Sequence, residues 1–311
     1  MVTNAGKLNA QNNFGLVIHG GAGDGVHPEA LGDRSEIYYQ TLKEVTDFGY
    51  EMLEKGFSSR DVVEAVIRKL EDNPLFNAGR GSVVNKNGEV YHDASIMLGS
   101  NRNAGAVAGI FVAKNPIQAA LAVMENTPHV FLSDKGAEEF VLQSGVPLMN
   151  HEDSVWYKNF TEQKRVSKKG TVGCVALDRN GDLAAGTSTG GMDNKFPGRI
   201  GDSPVVGAGT WADNRTCAVS ATGHGEYFIR SAAAHSVSAA MLLGDMDVQS
   251  ACGHALQEVA ALGGKGGLIA IDAQGNFAWD FNTVGMFRAV RTHDYRATLV
   301  GLGEEVAVYT H

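Results

Sequence analysis

Residues 170–191 read GTVGCVALDRNGDLAAGTSTGG, a pattern that predicts a β-hairpin beginning at a Gly-Thr pair. Two apolar strands flank an Asn-Gly turn, which is a strong short-range signal of a hairpin. If Asp178 and Asp182 face each other across this turn, Thr171 faces Thr189 and two hydroxyl groups lie side by side. A register shifted by one residue would still leave the two threonines as diagonal neighbours. The pair is either an ordinary cross-strand contact or part of a catalytic site.

The junction between Gly170 and Thr171 suits self-cleavage that turns the threonine into a new N-terminus. An N-terminal threonine carries a nucleophile and a base together, because its freed α-amine, with a reference pKa of about 8, can take the hydroxyl proton. Gly-Thr pairs also occur widely as simple hinges before strands. The dipeptide alone therefore leaves both interpretations open.

The composition is that of a globular protein that binds small molecules or peptides. Of the 311 residues, 43% are hydrophobic and 20% are charged, and the net charge of −9 would repel nucleic acid and anionic membranes. Residues 1–15 lack signal-peptide character and no run is long enough to span a membrane, so we expect a cytoplasmic location. The three cysteines fit reduced thiols, and the ten histidines lack metal-ligand spacing, so we expect no zinc.

The order of the predicted elements indicates an α+β fold. Strands, then helices, then strands follow each other without alternating βαβ units, so we expect antiparallel sheets covered by helices. Residues 19–23 should form a turn, and the polar, basic residues 157–169 should form an exposed linker. The predicted helices span 33–55, 62–70, 116–126, 134–143, 226–243 and 248–262. The predicted strands span 14–18, 82–85, 89–97, 104–112, 171–177, 183–189, 217–221, 267–271, 277–280, 285–290 and 305–309.

Two loops carry further candidate site residues. Arg199 and Asp202 lie in the glycine-bounded segment 198–204, where they could bind the carboxylate and the ammonium of an amino acid or form a local salt bridge. Thr222 and Gly223 lie just before a predicted helix, where unpaired amides favour negative charge. Their hydroxyl and amide could stabilise an oxyanion, or the segment could be an ordinary glycine-rich helix entry.

Taken together, these blocks resemble the plant-type L-asparaginase and isoaspartyl peptidase family of N-terminal nucleophile hydrolases. The matching blocks are His19–Gly23, Phe76–Gly81, Gly170–Gly173, Thr187–Gly191, Gly198–Pro204 and Thr222–Gly225. The resemblance implies a four-layer αββα sandwich, made as a precursor that cuts itself before Thr171. It further implies an α subunit of residues 1–170, with an exposed linker over about 151–170, and a β subunit of residues 171–311 within one structural domain. Two such cleaved protomers are expected to form a homodimer.

The resemblance also assigns roles to individual residues. Thr171 corresponds to the nucleophile, Thr189 to its support, and Thr222 with Gly223 to the oxyanion hole. The substrate-binding residues implied are Arg199, Asp202, Gly225 through its carbonyl, and Asn77 near the nucleophile. No cofactor is required for the chemistry. A structural sodium ion is expected on the backbone carbonyls of Leu70, Glu71, Asn73, Phe76, Ala78 and Arg80.

The activity implied is amide hydrolysis in two acyl-transfer steps, on the side chain of L-asparagine or on a β-aspartyl dipeptide. Three other functions remain to be weighed. A glycosylasparaginase shares the threonine chemistry and acts on glycan-linked asparagine. A nucleotide-binding protein would use residues 19–25 as a phosphate loop, although no complete phosphate-binding motif opens a helix there. A non-enzymatic scaffold would retain only the fold.

Overall fold

A computed structural model describes residues 13–150, 170–295 and 297–310. The described helices are α1 (Pro28–Leu31), α2 (Ser35–Glu54), α3 (Ser59–Asp72), α4 (Pro116–Asn126), α5 (Asp134–Gln143), α6 (Gly225–Ser231), α7 (Ala233–Gly244) and α8 (Val248–Ala261). The described strands are β1 (Gly15–Gly23), β2 (His92–Leu98), β3 (Ala104–Ile110), β4 (Phe131–Ser133), β5 (Val172–Leu177), β6 (Leu183–Thr189), β7 (Thr210–Ala212), β8 (Cys217–Gly223), β9 (Gly266–Asp272), β10 (Phe277–Phe281), β11 (Gly285–Thr292), β12 (Ala297–Gly301) and β13 (Val306–Thr310). None of the helices in these ranges is long and apolar enough to cross a membrane.

The strands form two sheets, which confirms the α+β class. The large sheet has the order β13, β12, β11, β1, β5, β6, β2, β3 and β4, and the small sheet has the order β10, β9, β8 and β7. Neighbouring strands run antiparallel except for β3 and β4. The expectation of purely antiparallel sheets without a βαβ unit was wrong at this edge, because α4 returns the chain so that β4 starts in the same direction as β3.

Alternating side chains distribute the apolar residues over three cores. In β1, Leu16 and Ile18 pack in the core that includes residues of α2 and α3, whereas Val17 faces the other way and packs with Ile269 and Ile271 of the small sheet. The opposite face of the small sheet packs against α7 and α8. Because successive side chains of a strand point to opposite faces, each sheet can bury both of its faces. Both faces of β1 and both faces of the small sheet are therefore buried.

Helix ends follow local sequence signals in some places and tertiary contacts in others. Ser58 caps α3, since its side chain accepts a hydrogen bond from the amide of Asp61. The single helix predicted over 226–243 was wrong. Ala232 has a φ of +48°, which separates α6 from α7. The amides of Ala234 and His235 bond to carbonyls of the 207–208 loop, so α7 starts anew instead of continuing α6.

Two other predicted local structures were wrong. Residues 19–23 continue β1 and pair with β11 around a bulge between His19 and Gly21, instead of turning or forming a phosphate loop. Residues 82–85 do not form the predicted strand, and Asn85 instead forms an isolated bridge with Lys195. The short strands β4, β7 and β12 were not predicted, and the predicted linker at 157–169 lies outside the described residues.

Candidate functional site

The hairpin of β5 and β6 has the predicted register. Val172 pairs with Ser188, so Thr171 and Thr189 meet at the open end of the hairpin. The hydroxyl of Thr171 donates to Oγ1 of Thr189 across 3.1 Å, and the same oxygen accepts the amide of Gly191 at 2.9 Å. Both threonine side chains are buried. The adjacent hydroxyl pair predicted from the sequence is therefore confirmed as a contact.

The peptide bond between residues 170 and 171 lies against β1 without room for side chains. Gly170 has a φ of +136° and Gly21 a φ of +112°, values that L side chains rarely adopt. A Cβ added to Gly21 would lie 2.5 Å from the Cα of Gly170. The Nδ2 of Asn77 donates to the carbonyls of both Gly170, at 2.8 Å, and Gly191, at 2.7 Å. Asn77 thus holds the junction.

A buried histidine that the sequence pattern did not single out fixes the other side of Thr171. Nδ1 of His19 lies 3.0 Å from the carbonyl oxygen of Thr171, and Nε2 lies 2.9 Å from Oγ of Ser220. Burial lowers the pKa of His19 to about 3, so the ring is neutral. Since a carbonyl only accepts, Nδ1 carries the proton and Ser220 donates to Nε2. A Cβ on Gly173 would lie 2.0 Å from that serine oxygen, which explains the glycine in the Gly-Thr-Val-Gly block.

Arg199 and Asp202, which are predicted to bind an amino acid, lie close together, but Arg199 forms its salt bridge with Glu226. Arg199 binds Glu226 through two parallel hydrogen bonds of 2.9 and 3.0 Å. Oδ2 of Asp202 is buried and has no partner among the described residues, and burial raises the pKa of this carboxyl group to about 7. Gly225 lies close to both, because a Cβ there would be 2.8 Å from Oδ1 of Asp202 and 3.0 Å from Nη2 of Arg199. A carboxylate oxygen that lacks a partner among the described residues, beside a guanidinium, suits an incoming ammonium and carboxylate.

Thr222 and Gly223, which are predicted to stabilise an oxyanion, are the last two residues of β8. Oγ1 of Thr222 is buried and has no partner among the described residues. Gly223 has a φ of +152°, and a Cβ there would lie 2.4 Å from the carbonyl oxygen of Lys265. The amide of His224 donates to that carbonyl at 2.8 Å, which holds the segment against the start of β9.

These groups surround one cavity of about 250 Å³. Thr171, Thr189, Arg199, Asp202 and Gly223 line the cavity together with Gly170. Asn77, Thr222 and Gly225 do not line the cavity. Asn77 and Gly225 contact residues of its wall, and Thr222 directly precedes Gly223 in the chain. The cavity wall also contains residues to which the sequence pattern assigns no role, namely Asp24, Met192, Asp193, His224, Lys265 and Thr283.

Two buried charged residues, Asp93 and Lys195, lie near the loop that follows Thr189. Asp93 in β2 pairs in register with Thr189, and a Cβ on Gly191 would lie 2.6 Å from Nζ of Lys195. Burial raises the pKa of Asp93 and lowers that of Lys195, while each charge counteracts the shift of the other. Sequence reasoning missed both residues, although a carboxylate inside an apolar strand is itself a signal.

The loop expected to hold sodium is tightly wound around two glycines. A Cβ on Gly79 would lie 2.5 Å from the carbonyl oxygen of Glu71, and one on Gly81 would lie 1.7 Å from that of Phe76. The carbonyl oxygens of Glu71 and Phe76, two of the six expected ligands, therefore pack directly against the backbone of these glycines. The described residues contain no cluster of three or more His, Cys, Asp or Glu able to hold a metal.

Known proteins resemble this chain along most of its length. The sequence profile of a family described as asparaginase matches residues 12–166 and 152–300. An isoaspartyl peptidase of Escherichia coli (strain K12) is 44% identical over 293 residues, which cover 88% of this chain and 91% of that protein. An isoaspartyl peptidase/L-asparaginase of Bos taurus is 40% identical over 291 residues (87% and 91%), and one of Homo sapiens is 46% identical over 230 residues (69% and 72%). The resemblance carried by the sequence blocks is thereby confirmed.

Proposed function

Because this chain belongs to the asparaginase family, we propose that it is an N-terminal nucleophile hydrolase acting on L-asparagine and β-aspartyl dipeptides. The observation that carries the proposal is the hydroxyl pair of Thr171 and Thr189 in one cavity with the buried carboxylate of Asp202. We assign the layers to the αββα sandwich of such hydrolases, with residues 1–170 as the α subunit and 171–311 as the β subunit.

Self-cleavage creates the active form. The hydroxyl oxygen of Thr171 attacks the carbonyl carbon of Gly170, the C–N bond breaks, and the nitrogen takes a proton to become the free α-amine. Water then hydrolyses the resulting ester and leaves a carboxylate on Gly170. Asn77 supports the step because its Nδ2 already donates to the carbonyl oxygen that becomes negative. Gly170 has a positive φ and no side chain, so it leaves room for the Thr171 hydroxyl to approach its carbonyl carbon.

Substrate hydrolysis then uses the freed amine as the base. Arg199 binds the α-carboxylate of the substrate through Nη1, since its pair with Glu226 uses Nε and Nη2. Asp202 and the carbonyl of Gly225 bind the α-ammonium. The Thr171 hydroxyl, supported by Thr189, attacks the side-chain amide carbon and gives a β-aspartyl ester. The leaving nitrogen departs as ammonia or as an amino acid, and water hydrolyses the ester.

Thr222 and Gly223 are proposed as oxyanion donors, and Thr222→Val tests the first of them. Valine keeps the shape but removes the hydroxyl, so kcat should fall by about 10²- to 10³-fold with little change in KM, because the hydrogen bond forms only in the transition state. The free energy of unfolding should not fall, since Oγ1 has no partner among the described residues. Steady-state kinetics on asparagine measures the effect.

Thr222→Ser is the matched control and should retain most of the activity. Intact mass must first show that both variants cut themselves, so that lost turnover is not lost maturation. An unchanged kcat in Thr222→Val would remove Thr222 from the oxyanion hole.

The substrate class is tested by product analysis. Purified protein should yield two fragments, the second beginning at Thr171, and should release aspartate from asparagine and from a β-aspartyl dipeptide. Preferential cleavage of glycan-linked asparagine would favour a glycosylasparaginase instead. A single species of 32.9 kDa that never splits and never turns over would favour the scaffold.

We also propose that the loop Leu70–Arg80 binds a sodium ion through the carbonyls named above. The ion would neutralise converging carbonyl dipoles and stabilise α3 against the loop that carries Asn77, without taking part in the chemistry. Replacing sodium by a bulky organic cation should lower Tm by about 1–2 °C if the ion contributes about 1 kcal/mol. Restoring sodium at constant ionic strength should restore Tm, and a Tm indifferent to sodium would contradict the site.

The proposed active form is a homodimer of cleaved protomers in the cytoplasm. The family resemblance supports the dimer, and the net charge of −9 is compatible with a freely soluble small-molecule enzyme. A native mass of about twice 32.9 kDa by light scattering, with two bands on denaturing gels, one for each fragment, is the expected result.

A further inference from the structure

The cavity contains a second charged pair that the proposed mechanism does not use. Nζ of Lys265 lies 3.4 Å from Oδ2 of Asp24, and both residues line the cavity that holds Thr171. The two side chains are half exposed, at 52% and 51%. Exposed pairs of this kind contribute little free energy, so Lys265 can exchange Asp24 for another carboxylate at low cost.

The backbone of Lys265 is anchored beside the oxyanion segment. Its carbonyl accepts the amide of His224 at 2.8 Å, and the amide of the next residue, Gly266, donates to Oδ1 of Asn282 at 2.8 Å. A Cβ on Gly223 would lie 2.4 Å from the same carbonyl. The side chain of Lys265 therefore starts from a fixed point next to Gly223, and it is half exposed.

The leaving groups of the two proposed substrates differ in what they offer to Lys265. In an amide, the carbonyl oxygen and the leaving nitrogen are bonded to one carbon, so a side chain that starts beside the oxyanion donors lies close to the leaving group. The leaving nitrogen of asparagine carries only hydrogens. In a β-aspartyl dipeptide, that nitrogen carries a Cα and, one bond further, a free carboxylate. Only the dipeptide offers Lys265 an anion.

We propose that Lys265 binds the α-carboxylate of the leaving residue and thereby favours β-aspartyl dipeptides with a free C-terminus over asparagine. Asp24 holds the ammonium group in the cavity until substrate arrives. The inference rests on the proposed function, which it narrows to a substrate class. Arg199 does not supply this contact, because it is assigned to the other carboxylate and lies against Glu226.

The test compares Lys265→Met with the unaltered enzyme on L-asparagine, β-Asp-Leu and β-Asp-Leu amide. Methionine preserves the apolar stem and removes the charge. For β-Asp-Leu, kcat/KM should fall about tenfold, the ratio expected for one charge-assisted hydrogen bond to a carboxylate. For asparagine and for the amide-capped dipeptide it should stay within about twofold. Salt should weaken the β-Asp-Leu reaction more in the unaltered enzyme than in the variant.

Two controls isolate the charge. Lys265→Arg should retain the preference for the free dipeptide. Lys55→Met removes a comparably exposed lysine, paired with Glu51 at 3.6 Å on α2, and should leave all three substrates unchanged. An equal effect of Lys265→Met on all three substrates, or none on β-Asp-Leu, would overturn the inference while leaving the hydrolase assignment intact. Failure of the unaltered enzyme on every substrate would instead reject the proposed function.

Discussion

Replacing Thr171 by alanine should leave the chain as one 32.9 kDa polypeptide and lower hydrolysis of asparagine by about 10⁴- to 10⁶-fold. The side chain supplies the oxygen for both self-cleavage and substrate attack, and the uncut chain keeps the α-nitrogen locked in a peptide bond. Both functions should therefore disappear together. Intact mass spectrometry and an aspartate-release assay measure the two losses separately.

Thr171→Ser is the matched control, because serine keeps the hydroxyl that would contact Thr189. It should still split the chain, although more slowly, and retain measurable turnover. Thr171→Val fills the site without a hydroxyl and should behave like alanine. The mechanism is wrong if either hydroxyl-free variant still breaks at residue 170 or still releases aspartate.

Replacing Asp202 by asparagine should lower kcat/KM for asparagine by about 10²- to 10³-fold, the range expected when one partner of a buried charge pair is removed. The carboxylate is buried and its Oδ2 has no partner among the described residues, so the substrate ammonium is its natural counterion. The amide side chain of the variant would keep the shape and lose the charge. Self-cleavage should continue, because Asp202 makes no hydrogen bond to the junction.

The pH dependence distinguishes this role from simple packing. Burial raises the pKa of Asp202 to about 7, so the group gains a proton and loses its attraction for ammonium as pH falls through 7. The freed amine of Thr171, with a reference pKa of about 8, also loses its function on protonation. At acidic pH, log kcat/KM should therefore rise with a slope of two in the unaltered enzyme and one in Asp202→Asn. Equal slopes would exclude the carboxylate from ammonium binding.

As pH rises, the contribution of Asp202 to stability should fall, whereas its contribution to activity should rise. A carboxyl group whose pKa is raised by folding contributes stability below its unfolded pKa, and that contribution is lost as pH rises toward the folded value. For Asp202 the loss spans the interval between its ordinary pKa of 3.8 and about 7. The Tm of Asp202→Asn relative to the unaltered enzyme should therefore rise across this interval.

Much of the fold and of the site follows from local patterns. The bounds of α4 and α5 agree with those predicted from the sequence, and the Asn-Gly turn predicted the register that brings Thr171 to Thr189. The helix bounds and the hairpin register depend on residues that are neighbours in the sequence, so the sequence pattern alone can predict them. The break at Ala232 and the continuation of β1 past His19 depend on hydrogen bonds to distant segments, which a linear pattern does not contain.

Local residue order thus determined most of the elements, the threonine pair and the candidate binding loops, because strand alternation, turn chemistry and helix caps act over a few residues. Only the packing of β1 against β5 decided that His19 is neutral and bonded to the Thr171 carbonyl, and that Gly21 leaves space for Gly170. The tertiary structure also leaves Oδ2 of Asp202 without a hydrogen-bond partner among the described residues and places Lys265 beside Gly223. Charge state, desolvation and close approach depend on what surrounds a group in space, and residues far apart in the chain supply those surroundings.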